Sequence, residues 1–164
     1  MDEKTRVKLS ALYKSDEINQ IWNVCQSKPF INHPQYGNIS AGEYRQMGMG
    51  KSCPFCGQKM TYGQQYKTSS LKEAIDKGFE YINKKGQKTI NQAGNVYFHR
   101  KYITLDHIIN KARCPEKMFD YDNLQYMCWE CNQEKGDNNA YEIEHTLDYL
   151  NDLADEVLER YKPL

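Results

Sequence analysis

Nowhere among the 164 residues is there a run of roughly 18 apolar side chains, the length needed to cross a bilayer, so the sequence holds no transmembrane helix. The opening residues, Met1-Asp2-Glu3-Lys4-Thr5-Arg6-Val7-Lys8, contain no apolar stretch of the kind a secretory signal requires, and the expectation is a soluble protein of a reducing compartment. Net charge is absent too, with 22 basic and 22 acidic side chains, so an overall basic surface is excluded. There is no internal repeat and no low-complexity linker. That leaves one domain over 1–164, and a hydrophobic content of 39% suffices for one modest core.

Neutrality hides a strong segregation of charge. Residues 44–117 carry 14 basic and 5 acidic side chains, while residues 118–164 carry 3 and 12. A basic face beside an acidic terminal helix is one outcome, and mixing of the two in space is the other. Four of the six cysteines form two CxxC pairs, Cys53-Pro54-Phe55-Cys56 and Cys128-Trp129-Glu130-Cys131. Four thiolates supplied in two such pairs suit one tetrahedral zinc, and Gly57 after the first pair allows the tight turn of a zinc knuckle. Cys25 and Cys114 have no such partner and read as free thiols.

Periodicity predicts a helix from Ser15 to Cys25, with Ile18, Ile21, Trp22 and Cys25 on one face packing on the core. Residues 28–51 read as loop with a helical turn near Glu43 to Met47. A second helix is expected from Ser69 to Lys85, on the spacing of Leu71, Ile75, Phe79 and Ile82. A strand then runs from Val96 to Leu105 into Asp106-His107, and another from Asn123 to Met127 into the second CxxC. A helix starts near Trp129 or Glu130. Tyr141 to Tyr161 carries an apolar stripe of Ile143, Leu147, Leu150, Leu153, Ala154, Val157, Leu158 and Tyr161, read as a helix packed on the core with its acidic face in water.

Leu105-Asp106-His107-Ile108-Ile109, Asp122-Asn123-Leu124-Gln125 and Cys128-x-x-Cys131-Asn132-x-x-Lys135-Gly136 together resemble the HNH endonucleases, in the zinc-knuckle subtype with Asn at the third motif position. The resemblance covers about Cys53 to Asn139. It implies an α+β fold: a ββα-metal core at about 51–139 with a four-cysteine zinc site, an N-terminal helical extension over 1–50 and a C-terminal amphipathic helix over 140–164. It implies hydrolysis of phosphodiester bonds in DNA, most readily double-stranded, in the cytoplasm of a bacterial or phage-infected cell. By resemblance, His107 is the base that activates water and Asn123 holds the loop bearing His107. Asp106 and Asn132 bind the catalytic ion, and their hard oxygen donors favour Mg²⁺ or Mn²⁺. Structural zinc sits on Cys53, Cys56, Cys128 and Cys131.

Nucleic-acid contacts are expected from Lys84, Lys85, Lys88, Arg100, Lys101 and Lys135, with His99 the best of the remaining histidines for a phosphate; His33 and His145 read as surface or hydrogen-bonded histidines. About fifty residues separate the first knuckle from Asp106, so 59–102 is an insertion of open role. The alternatives are a zinc-stabilised binding module that does not cut and a nuclease of branched DNA or of RNA. The oligomeric state is open, a homodimer among the options.

Overall fold

The structure is a computed structural model that describes residues 14–136, 138 and 140–161. Helix α1, Ser15–Cys25, has Asp16 and Glu17 in its first turn, where carboxylates favour the positive helix end. Its inner face places Ile18 in the core and Trp22 against it. Residues expected to form only loop instead close a hairpin of β1, Ile31–His33, and β2, Gly37–Ile39. Gly37 supplies the left-handed turn between them (φ 72°). Helix α2, Ala41–Met47, starts on a capping box in which Ser40 and Glu43 satisfy each other's backbone amides.

The stretch 59–102 is built from small pieces: β3, Lys67–Thr68; α3, Leu71–Asp76; β4, Tyr81–Ile82; β5, Lys88–Thr89; β6, Asn91–Ala93; and β7, Val96–Phe98. β4 and β5 form one hairpin, and β7 lies between β3 and β6. The helix expected over Ser69 to Lys85 therefore ends at Asp76. Gly78, at φ 73°, turns the chain left-handed, Phe79 enters the core, and a hairpin begins.

The strand expected from Val96 to Leu105 is interrupted as well. A turn closed by Tyr102 N–H to the His99 carbonyl (2.9 Å) separates β7 from β8, Ile103–His107. β8 pairs antiparallel with β9, Leu124–Cys128, in the register Ile103 opposite Cys128 through His107 opposite Leu124. Helix α4, Trp129–Lys135, follows without a loop and packs on both strands. Gly48 lets the end of α2 lie flat on this pair, since a Cβ there would sit 2.6 Å from Tyr126 Cδ1 and closer still to Ile103.

Two buried clusters flank the β8–β9 pair. One joins Ile31, Ile39, Ala41, Tyr44, Leu105 and Leu124; the other joins Met60, Ile103 and Met127 to Cys53, Cys128 and Cys131. Helix α5, Tyr141–Arg160, corrects the expectation of a core helix. None of its described residues is buried, and Ile143, Leu147, Leu150, Val157 and Leu158 are each 47–65% exposed. Its charged face is as expected, but among the described residues nothing covers its apolar stripe. No described helix is long and apolar enough to cross a membrane.

Candidate active site

Strand geometry alone separates the central pair of side chains. Successive residues of a strand point to opposite faces, so Thr104 and Asp106 share one face of β8, while Ile103, Leu105 and His107 share the other. On α4, Asn132 and Lys135 are three residues apart and share a face. Asn132 Nδ2 donates to Thr104 Oγ1 (2.9 Å), and Lys135 Nζ lies 2.6 Å from Asp106 Oδ2. With its amide nitrogen engaged, Asn132 keeps its oxygen for another partner. A cleft of about 250 Å³ is lined by Asp106, His107, Asn132 and Lys135 together.

His107 is buried against the edge of Trp22, with ring centroids 4.9 Å apart, and its Nε2 is 2.9 Å from the Met118 carbonyl oxygen. A carbonyl can only accept, so Nε2 carries the proton and Nδ1 has the lone pair. Burial is the largest influence on the ring and lowers its pKa to about 4. The imidazole is therefore neutral at neutral pH. Asn123 clamps the loop that carries Met118. Its Nδ2 donates to the carbonyls of Ile109 (3.1 Å) and Lys117 (3.2 Å), and its Oδ1 accepts from the Ile109 amide (2.8 Å).

Lys135 corrects the expectation of an exposed phosphate contact. Its side chain is 3% exposed and held by Asp106, Glu142 Oε1 (2.6 Å) and the His107 carbonyl (2.9 Å). Gln125 Nε2 bridges Asp106 (2.8 Å) and Glu142 (2.7 Å). Burial raises the Asp106 pKa, and the bonds from Gln125 and Lys135 oppose that rise. Gln125 and Glu142 escaped the sequence reading. Gln125 faces Asp106 only because of the strand register, and Glu142 reads as part of an acidic helix face.

Four thiols meet at the N-terminal end of α4, where Cys128 is the N-cap residue and Cys131 lies in the first turn. The sulfurs of Cys53, Cys56, Cys128 and Cys131 all lie within 4.8 Å of one another, and those of Cys56 and Cys128 are 3.8 Å apart. A tetrahedron of zinc–sulfur bonds near 2.3 Å has edges of about 3.8 Å, so the donor set fits zinc. The chain turns at Gly57 (φ 71°), with its amide bonded to the Cys53 carbonyl, and β9 ends where Cys128 joins α4.

Lys101 is the second correction, for it does not face solvent. Its ammonium is buried 2.7 Å from Glu130 and 3.4 Å from Cys56 Sγ. Arg100 is paired with the same Glu130 (2.9 Å) and lies over the Tyr81 ring. His99 is half-buried and closes the turn before β8, accepting from the Lys101 amide (3.1 Å). Lys84 pairs with Glu134 (2.9 Å) and Lys88 with Glu80 (3.3 Å). Lys84 and Lys85 line a separate cavity of about 510 Å³ together with Glu130, Glu134 and Glu144. None of Lys84, Lys85 and Lys88 borders the cleft of Asp106 and His107.

Two antiparallel strands running directly into a helix, with a carboxylate–imidazole pair at the strand end and a four-cysteine cluster behind, define a ββα-metal fold within an α+β chain. Residues 93–138 match the family model described as HNH endonuclease. Searches of the curated proteins and of the solved structures returned no match.

Proposed function

We propose that the protein is a divalent-metal-dependent endonuclease that hydrolyses phosphodiester bonds in DNA. The observation that carries this reading is a neutral His107, its Nε2–H fixed by the Met118 carbonyl, in one cleft with Asp106 and Asn132. In this reading Nδ1 of His107 takes the proton from the attacking water, which the lone pair can do only while the ring is uncharged. Asn123 keeps the Met118 carbonyl in place and thereby the tautomer. Asp106 and Asn132 would hold Mg²⁺ or Mn²⁺. Their fit to a cation is supported by the Lys135 ammonium, which already sits among Asp106, Glu142 and a backbone carbonyl. When bound, the ion supplies positive charge for the phosphoryl oxygens and the leaving 3′ oxygen. The four thiols would take one zinc in a structural role. Duplex DNA as substrate and a cytoplasmic setting belong to the same reading.

The seat of Lys135 also favours a second reading, a binding module in which the ammonium permanently takes the ion's place. Incubation with supercoiled plasmid, with and without Mg²⁺ and beside His107→Ala, separates the two. Nicking or linearisation is expected only with Mg²⁺ and only for the unmodified chain, and its acid limb falls near pH 4, where the buried imidazole titrates, rather than near 6.5. A variant that cuts at the normal rate removes His107 from the chemistry, and a chain that never cuts favours the module.

A further inference from the structure

A second groove joins the cleft. Of about 530 Å³, it is lined by Arg45, Lys67, Tyr62, Phe98 and Trp129 and shares Leu105, Asn132 and Gln133 with the cleft of Asp106 and His107. None of its lining residues is a carboxylate, in contrast to the acidic cavity beside Lys84 and Lys85. Arg45 comes from the last turn of α2 and is half-buried. Its Nη2 donates to Gln26 Oε1 (3.2 Å), and among the described ion pairs it has no anionic partner. Burial works against its charge. A half-buried guanidinium without an anion, in a groove with a second cation and no acid, is matched to an anion from outside the chain.

We infer that this groove is a phosphate subsite, in which Arg45 and Lys67 hold the phosphodiester backbone of the strand next to the scissile phosphate. The rings of Tyr62, Phe98 and Trp129 give sugar and base an apolar wall, and Asn132 stands where the groove opens into the cleft. The inference rests on the nuclease reading for the identity of the scissile phosphate, but not for nucleic-acid binding itself.

Binding of a labelled DNA duplex, measured by fluorescence anisotropy against salt without Mg²⁺, tests it. Removing one cation–phosphate interaction lowers the slope of log K against log salt by about 0.9. Arg45→Ala is expected to weaken binding about tenfold at low salt, with that drop in slope and a normal melting temperature. Arg45→Lys keeps the slope, and Lys88→Ala, whose ammonium faces Glu80, changes neither. Equal slopes for Arg45→Ala and the unmodified chain, or no DNA binding by the unmodified chain, overturn the subsite. If Arg45→Ala misfolds, Lys67→Ala provides the same reading. A chain that binds through Arg45 yet never cuts plasmid leaves the subsite standing and removes the hydrolytic reading.

An independent observation concerns α5. Ile143, Leu147, Leu150, Ala154, Val157 and Tyr161 are spaced by four, three, four, three and four residues, which is the seam of a coiled coil over its full length. Asp148, Asp152, Asp155, Glu156 and Glu159 lie off that seam. Glu142, which reaches Lys135, and His145, bonded to the Phe55 carbonyl (2.8 Å), are on the side turned to the domain, so the seam faces away from it. We propose that its occupant is α5 of a second copy, in parallel. In that register Leu153 meets Leu158 of the partner subunit on both sides of the seam, and no like charges oppose each other across it, whereas a basic partner helix would find no acids to pair with there. Sedimentation equilibrium is expected to give twice the chain mass for the unmodified protein and for Asp152→Lys, and the single-chain mass for Leu147→Glu/Leu150→Glu. Both substituted leucines are solvent-exposed in the single chain, so folding survives. A monomer at about 100 μM, ample for a micromolar pair, or a double mutant of unchanged mass, overturns the pairing.

Discussion

An ammonium as thoroughly buried as that of Lys135 persists only with anions around it, and Asp106 and Glu142 both lie 2.6 Å away. Removing it leaves Asp106 charged, 7% exposed and supported by Gln125 alone. Breaking a buried pair from one side costs about 3–5 kcal/mol, and Lys135→Met is expected to lose that much at neutral pH. The deficit depends on pH with a definite sign. Burial already raises the Asp106 pKa, and loss of the ammonium raises it further, so below the carboxylate's folded pKa the acid is neutral and the deficit shrinks, while towards pH 8 it grows. Denaturant midpoints at pH 5 and pH 8 check this; a variant within about 1 kcal/mol of the unmodified chain at pH 8 would show that the pair contributes little. The motif made Lys135 visible, but its partners lie 29 residues upstream and seven downstream. Contacts of that range have no periodicity, which is why the residue read as exposed. Asn123 was legible for the opposite reason, since its bonds are to backbone inside one loop.

Among the elements, those with a clear start and a long period were legible. Ser15 to Cys25 is the helix that Ile18 and Trp22 predicted, and Tyr141 to Arg160 is helical as its stripe required. Short pieces were not. Leu71, Ile75, Phe79 and Ile82 keep a helical spacing, yet Leu71 and Ile75 are about half exposed, and Gly78 sends Phe79 into the core by another route. Likewise the strand-like run from Val96 to Leu105 is two strands, because His99 Nδ1 accepts the Lys101 amide and stabilises a turn within it. Periodicity reports that α5 is amphipathic without reporting what covers it. The charge segregation was legible and misleading for the same reason: Arg100 and Lys101 of the basic segment meet Glu130 of the acidic one, and Lys84 meets Glu134. Arg45, from the short helix α2, is half-buried and has no carboxylate partner among the described ion pairs.

At the scale of the molecule, the four thiols join segments that are otherwise thinly connected. Cys53 and Cys128 are 75 positions apart, and both belong to the smaller buried cluster, which has only Met60, Ile103 and Met127 besides its cysteines. A cluster with three sulfur ligands among its six buried members gains little from apolar burial alone. Structural zinc in small domains contributes about 10–16 kcal/mol of apparent binding energy at neutral pH, comparable to the 5–15 kcal/mol that stabilises a whole domain. Removing it is therefore expected to release the 53–57 turn, the end of β9 and the start of α4 together, and with them Asp106, Asn132 and Lys135. Freshly purified protein should contain one zinc per chain. Stripping with a strong chelator should abolish the cooperative melt and the near-UV signal, and added zinc should restore both. Cys131→Ser should retain well under one zinc and melt at least about 10 °C lower, since each kcal/mol is worth roughly 2–4 °C in a chain of this size. Cys114→Ser, whose thiol is bonded to Glu116 and lies outside the four-cysteine cluster, should match the unmodified chain. A stripped protein that still melts at its original temperature would mean that the thiols are merely adjacent and that the apolar contacts around Ile103 and Met127 hold the frame unaided.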